Sequence, residues 1–273
     1  MISTDNLCVI IPVHTPELSE DDILSLQACY NQLKQYICFL VFPEGMNVDK
    51  YLGIHKKLSL VPVDPSWLSS VEDYNKMKID ISFYEIFRQY TFMLTYELDA
   101  YIFNSSFETI TSSPFDYIGA PFFEGYTEAS ADADFKNGGN SGFSIRNIQS
   151  CIKVLHSMKK YYPHWQFYKY ILSHFPKFRY HLNRITKGKY DILINGHVGF
   201  YYLKTHTNED VFWSQMVPIL FPAFKVANSI QALKFSFEIN PEKLLELNNG
   251  HLPIGCHAWP KNKFFWKKYI DLN

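Results

Sequence analysis

YTFMLTYELDAYIFNSS (90–106) is the stretch on which the reading of this chain turns. Its apolar and aromatic residues run like a buried strand, yet Glu97 and Asp99 stand in its middle, two positions apart. Residues two apart on a strand face the same side, so both carboxylates aim at one spot. Ionised carboxylates inside an apolar sheet are costly unless paired or bound to metal. We therefore place the pair at the carboxyl end of a strand, where open α/β sheets meet their ligands. That placement requires the following AYIFN to form a separate short strand. A hard cation such as Mg2+ or Mn2+ takes one or two carboxylates together with phosphate oxygens, which such a pair offers. A salt bridge to Lys or Arg on a neighbouring element explains the spacing equally well.

Outward from this stretch, LCVIIPV (7–13), YICFLVFPEG (36–45) and KLSLVPVD (57–64) read as buried strands. Between the first two, Ser19 can cap a helix with Asp22 three residues on, and Ile23, Leu26, Tyr30 and Leu33 recur at helical spacing. Strand, helix, strand at these intervals begins a βαβ unit with a mostly parallel sheet. YNKMKIDISFYEIFRQY (74–90) reads as one helical stretch leading into the opening strand. DYIGAPFF (116–123), a polar stretch at 125–142 with the composition of a mobile loop, and a helix QSCIKVLHSMKKYY with Ile152, Leu155 and Met158 inward follow. Residues 163–205 are irregular and receive no assignment. NPEKLLELNNG (240–250) is a short helix with Asn240 as cap, Pro241 at its first position and Gly250 near its end. Without repeats, linkers or low-complexity tracts, we read residues 1–273 as one domain, with a nucleotide-binding half at 1–120 and an irregular half at 121–273.

Composition narrows the function. The 26 basic and 27 acidic residues leave a net charge of −1, so there is no global field suited to nucleic acid, and any anionic ligand must be held locally. The aromatic share of 17% suits flat-walled sugar or nucleobase clefts as well as ordinary core packing. MISTDNLCVIIPV has neither a basic leader nor a cleavage site, and no stretch reaches the roughly 18 apolar residues of a membrane span, which makes a cytoplasmic protein the expectation. Cys8, Cys29, Cys38, Cys151 and Cys256 form no CxxC pair and read as reduced, buried thiols, not as a disulfide framework or zinc site.

Three further motifs carry polar chemistry. In TNEDVFWSQM (207–216), Glu209 and Asp210 follow Asn208, a good helix cap, and the helix dipole alone favours carboxylates there. NGGNSGFSIR (137–146) sets three glycines and two serines in what reads as one turn, where the backbone can approach a sugar or phosphate closely. A tight hairpin accounts for it too, and its spacing is neither a Walker loop nor a dinucleotide turn. In GCHAW (255–259), His257 can complete a metal shell or serve as a structural histidine.

In this order the pieces resemble glycosyltransferases of the GT-A fold, and more closely an uncharacterised bacterial glycosyltransferase family. The motifs ELDAYIF, DYIGAPFF, NGGNSGFSIR, NEDVFWS, ALKFSFE and GCHAW carry the resemblance from residue 97 to 259, with IIPVHT and YNKMK extending it weakly forward. The resemblance implies an α/β, Rossmann-related, mostly parallel central sheet flanked by helices. It assigns ELD to the DxD-type motif that binds Mn2+ or Mg2+ and clamps a nucleotide-sugar diphosphate. This sequence has Glu where the best-known pattern has Asp, so Asp99 is the expected direct ligand, Glu97 a neighbour and His257 a third ligand. NED matches the acidic motif of inverting enzymes, with Asp210 as general base and Glu209 beside it. Asn137, Gly138, Gly139 and Ser141 fall on the donor-sugar side, and Pro12, His14, Thr15, Asn75 and Lys76 near the nucleotide.

The expected activity is transfer of a hexosyl or related sugar from a nucleotide sugar, a UDP-sugar foremost, to a glycan or lipid-linked acceptor in bacterial surface polysaccharide synthesis. A non-catalytic carbohydrate-binding protein and a glycoside hydrolase working through two carboxylates stand as alternatives. The basic, aromatic end WPKNKFFWKKYIDLN suits a membrane surface or a solvated tail.

Overall fold

The computed structural model describes residues 2–158, 174–187 and 208–271. Its centre is a six-stranded sheet of β1 (Leu7–Pro12), β2 (Ile37–Pro43), β3 (Leu58–Val63), β4 (Phe92–Tyr96), β6 (Tyr117–Phe123) and β7 (Phe135–Asn147) in the order β3-β2-β1-β4-β7-β6. A second, three-stranded sheet holds β5 (Tyr101–Ile102), β8 (Ser236–Phe237) and β9 (Gly255–Cys256) in the order β5-β9-β8. The first four strands of the large sheet run parallel, and β7 enters antiparallel between β4 and β6.

The apolar run of β1 is explained by burial on both faces. Leu7, Val9 and Ile11 face one core cluster with Leu26, Cys29 and Leu40, while Cys8 and Ile10 face another with Phe83, Phe87 and Trp213. The helix Glu20–Leu33 covers the first face, and Ser19 and Asp22 form its reciprocal capping box as the sequence predicts. On the other face, residues 148–158 are helical, and Ile152, Leu155 and Met158 are buried.

Several elements differ from expectation for local reasons. KLSLVPV forms β3, but as the edge strand it is only half-covered, with Leu60 46% exposed. The stretch 74–90 is not one helix: Val71–Met77 and Ile81–Ile86 are separated at Lys78–Asp80, where Asp80 caps the second by accepting from the Ser82 amide. NGGNSGFSIR is not a turn but the body of β7, and the supposed polar loop therefore ends at Phe135. Asn208 and Asn240 occupy N-cap positions without a side-chain capping bond; Asn240 is left-handed there and donates to the Ser130 carbonyl instead. The unassigned stretch 163–205 lies largely outside the described residues, apart from the helix Pro176–Ile185.

The glycines of β7 are a matter of space. A Cβ on Gly142 would stand 2.0 Å from Nε2 of His257, and one on Gly139 would meet the Ala120 carbonyl oxygen at 2.9 Å. Only glycine lets this central strand pass so close to its neighbours. All five cysteines are free and buried, and among the described residues no helix is long and apolar enough to cross a membrane.

Candidate active site

β4 stops at Tyr96, so Glu97 and Asp99 occupy the turn just beyond its carboxyl end. The turn is pinned from three sides. The Glu97 amide donates to the Gly142 carbonyl of β7 (2.9 Å), the Ala100 amide to the Glu97 carbonyl (2.8 Å), and Ser25 Oγ to the Ala100 carbonyl (2.7 Å).

The small sheet then delivers the other members. β9 pairs antiparallel with β5 through Tyr101↔Cys256 and parallel with β8 through Phe237↔Cys256. The residues before β5 and those after β8 and β9 therefore emerge at one end, which gathers Asp99, Glu238 and His257. Nε2 of His257 is 3.0 Å from Asp99 Oδ1 and 3.4 Å from Glu97 Oε2, and Nδ1 is 3.0 Å from Glu238 Oε1. Although buried, Nε2 makes no properly directed hydrogen bond among the described residues. Burial lowers the basicity of His257, but Glu238, Asp99 and Glu97 outweigh it and hold its pKa well above the ordinary value. A divalent cation that displaced the Nε2 proton would meet the Nε2 lone pair and two carboxylates, with Nδ1–H kept on Glu238, which is the donor set of a metal site.

A chain of buried charges extends inward from this cluster. Lys78, 1% exposed, reaches Glu97 Oε1 (3.2 Å), Glu209 Oε1 (2.5 Å) and Ser141 Oγ (2.9 Å). Nη2 of buried Arg146 holds both oxygens of Glu209 at 3.0 and 2.8 Å, and Nη1 donates to Tyr84 Oη. Burial pushes the Glu97 pKa up, but Lys78, His257 and the Tyr74 hydroxyl (2.7 Å) together hold it well below the carboxylate range. Asp210 is opposite in character. Burial, reinforced by the charge of Glu209, raises its pKa to about 7 against the opposing pull of the Val211 amide and Lys78.

Two cavities flank the cluster. One of about 510 Å³ is lined by Pro12, His14, Thr15, Tyr51, Tyr74, Glu97 and Asp99 among others, joining the end of β1 to the carboxylate turn. The other, about 360 Å³, is lined by Phe122, Tyr126, Asn140, Asp210 and Glu238 among others. His257 thus touches Glu97 and Asp99 of one cavity and Glu238 of the other.

The remaining predicted residues are placed as follows. Asn75 Oδ1 accepts from the Glu209 amide (3.0 Å), and Lys76 pairs with Glu72 and Asp73 of its own helix. Ser141 joins Lys78, the Gly139 carbonyl accepts from Tyr117 Oη (2.8 Å), Gly138 has φ +115°, and the Asn137 carbonyl accepts from Gln215 (2.9 Å). Glu209 is fully engaged by Arg146 and Lys78. Glu238, Lys78 and Arg146 are site residues that the sequence reading does not single out, although they end the motifs ALKFSFE, YNKMK and NGGNSGFSIR.

Among solved structures the chain is similar to LgtC, a galactosyltransferase in complex with donor and acceptor sugar analogues, at a TM-score of 0.51 and 9% identity, over 92% of this chain and 86% of that one. An active-site mutant of LgtC gives 0.50 at 12% identity over the same shares, 92% and 86%. Core-mannan synthase A of Aspergillus fumigatus, in an Mn/GDP form, gives 0.46 at 12% identity, over 81% and 72% of the two chains. At these identities the LgtC likeness establishes the fold: a GT-A-type α/β domain. No curated protein matches the sequence. Residues 57–257, three quarters of the chain, match a family profile, and the chain belongs to the family described as "Protein of unknown function (DUF5672)".

Proposed function

We propose that this chain is an inverting, metal-dependent glycosyltransferase that moves a hexosyl or related sugar from a UDP-sugar to a hydroxyl of a glycan or lipid-linked acceptor. One observation carries the proposal. Nε2 of His257 faces Asp99 at 3.0 Å and Glu97 at 3.4 Å, with a nucleotide-sized cavity on their side and the Asp210 cavity on the Glu238 side.

Asp99, His257 and, with one oxygen already held by Lys78 and Tyr74, Glu97 would hold Mn2+ or Mg2+, which supplies charge neutralisation to the leaving diphosphate. Glu238 fixes the ring of His257 so that Nε2 points at the carboxylates. Pro12, His14 and Thr15 wall the nucleoside, and Asn137, Gly138, Gly139 and Ser141 lie on the donor-sugar side, with Asn75 and Lys76 as outer members of the nucleotide side. Asp210 takes the acceptor hydroxyl proton as the new O–C1 bond forms and the diphosphate departs from the opposite face. A carboxylate poised at about 7 suits that task near neutral pH. Glu209, locked between Lys78 and Arg146, keeps Asp210 in place. Phe122 and Tyr126 offer the acceptor aromatic faces. Exposed Phe264, with Lys267 over its ring at 4.1 Å, supports a peripheral membrane contact for a cytoplasmic enzyme serving surface polysaccharide synthesis.

The test is a panel of nucleotide sugars with Mn2+, read as release of nucleoside diphosphate. We expect turnover of a UDP-sugar that needs Mn2+ and is lost in Asp99→Ala. If no nucleotide sugar is bound or turned over and Asp99→Ala changes nothing, the proposal is wrong.

A further inference from the structure

Away from the carboxylates, three elements converge on another group of ligating side chains. Cys29 comes from the helix Glu20–Leu33, Cys38 from β2, and His55 closes the helix Asp49–Ile54. One ligand atom from each lies within 4.8 Å of the other two, and all three residues are 0% exposed. The proposed transfer reaction uses none of them.

His55 is the telling member. Neither of its ring nitrogens has a hydrogen-bond partner among the described residues, although the ring is enclosed and meets Tyr30 edge-on at 5.0 Å. A buried imidazole left so is costly and calls for an explanation. The Cys38 thiol makes long contacts, at 3.7 and 3.8 Å, to the Leu33 and Tyr36 carbonyls, and it also interacts with Cys29 and His55 themselves.

We propose that Cys29, Cys38 and His55 supply three of the four ligands of a site for a thiophilic d10 divalent cation, Zn2+ in class, with a water in the fourth position. Two thiolates and a neutral imidazole cancel a charge of two, and a neutral complex is what an apolar core admits. Each thiol releases its proton to solvent on binding. With Zn–S of about 2.3 Å and Zn–N of about 2.0 Å, the ligand atoms would draw together by no more than about 1 Å. The ion would also brace a wall of the larger cavity: the His55 amide donates to the Tyr51 carbonyl (2.9 Å), and Tyr51 Oη donates to the Thr15 carbonyl (2.6 Å).

The experiment uses the reduced full-length chain carrying His257→Ala, which silences the carboxylate site, stripped with chelator and titrated with Zn2+ against a chromophoric competitor. We expect one bound equivalent, two thiols protected from a thiol reagent, a raised Tm, and an affinity lowered about 100-fold or more by Cys29→Ser or Cys38→Ser. Co2+ in the His257→Ala protein, which needs no cysteine variant to fold, should show thiolate-to-metal charge-transfer absorption. No tight equivalent in the His257→Ala protein, or a Co2+ spectrum without the thiolate band, overturns the proposal.

Discussion

Glu238 Oε1 lies 3.0 Å from Nδ1 of His257, while Nε2 of the same ring looks toward Asp99 and Glu97. The carboxylate fixes the tautomer and so decides which nitrogen is free for a cation. Glu238→Gln should therefore weaken Mn2+ binding about 10- to 100-fold while the fold survives, with His257→Ala weaker still, as read by calorimetry. Equal affinity in all three proteins would remove His257 from the site.

Asp210 should leave its mark on pH dependence. Its ionised form is the base, so kcat/KM should rise with pH through about 7, and Asp210→Asn should abolish that limb with a loss of about 100-fold or more. Stability runs the other way. The folded-state pKa is raised above the unfolded value, so the native state binds the extra proton between about pH 4 and 7. Stability from this group falls as pH rises through that window. Asp210→Asn should flatten the trend and stabilise the protein at pH 8, by something of the order of 2–4 kcal/mol. Denaturant unfolding at pH 5 and pH 8 measures it, and a variant less stable than the parent at pH 8 contradicts the assignment.

Lys78, itself buried, bridges buried Glu209 and the cavity-lining Glu97. Lys78→Met leaves Glu97 with His257 and the Tyr74 hydroxyl and Glu209 with Arg146 alone, and should cost about 3–5 kcal/mol in equilibrium unfolding. A loss below about 1 kcal/mol, the scale of a surface pair, would show that the pairing is not buried as described.

Gly142→Ala tests the fit between β7 and His257. The added methyl would overlap the imidazole at 2.0 Å, so either the ring or the strand must move. We expect Mn2+ binding to weaken at least about tenfold together with a stability loss of about 1–3 kcal/mol. Unchanged binding and unchanged Tm would mean that the ring does not sit against the strand.

The elements that sequence revealed most clearly are those fixed by local chemistry. LCVIIPV is buried on both faces and so reads as a strand from composition alone, and the Ser19–Asp22 capping box is legible because both halves lie within one turn. NGGNSGFSIR misled because glycine spells turn locally, whereas here it answers a nonlocal need: His257, more than a hundred residues downstream, occupies the place of a Gly142 side chain. ELD reads as a strand end and follows β4 directly, but spacing alone does not pair it with its partners. The three-stranded pairing of β5, β8 and β9 that joins Glu238 and His257 to Asp99 exists only in the folded chain. Lys78 and Arg146 close the motifs YNKMK and NGGNSGFSIR, but a Lys or Arg in sequence reads as surface, and only burial beside Glu209 marks them.

The most direct measurement is the anomalous diffraction of Mn2+ in crystals grown with UDP. A metal held by Asp99 and Nε2 of His257, bridging to the diphosphate of a nucleotide seated against Pro12, His14 and Thr15, is the predicted result. Ordered UDP with no anomalous peak near those side chains, or a peak there with the nucleotide bound elsewhere, would contradict the proposed function.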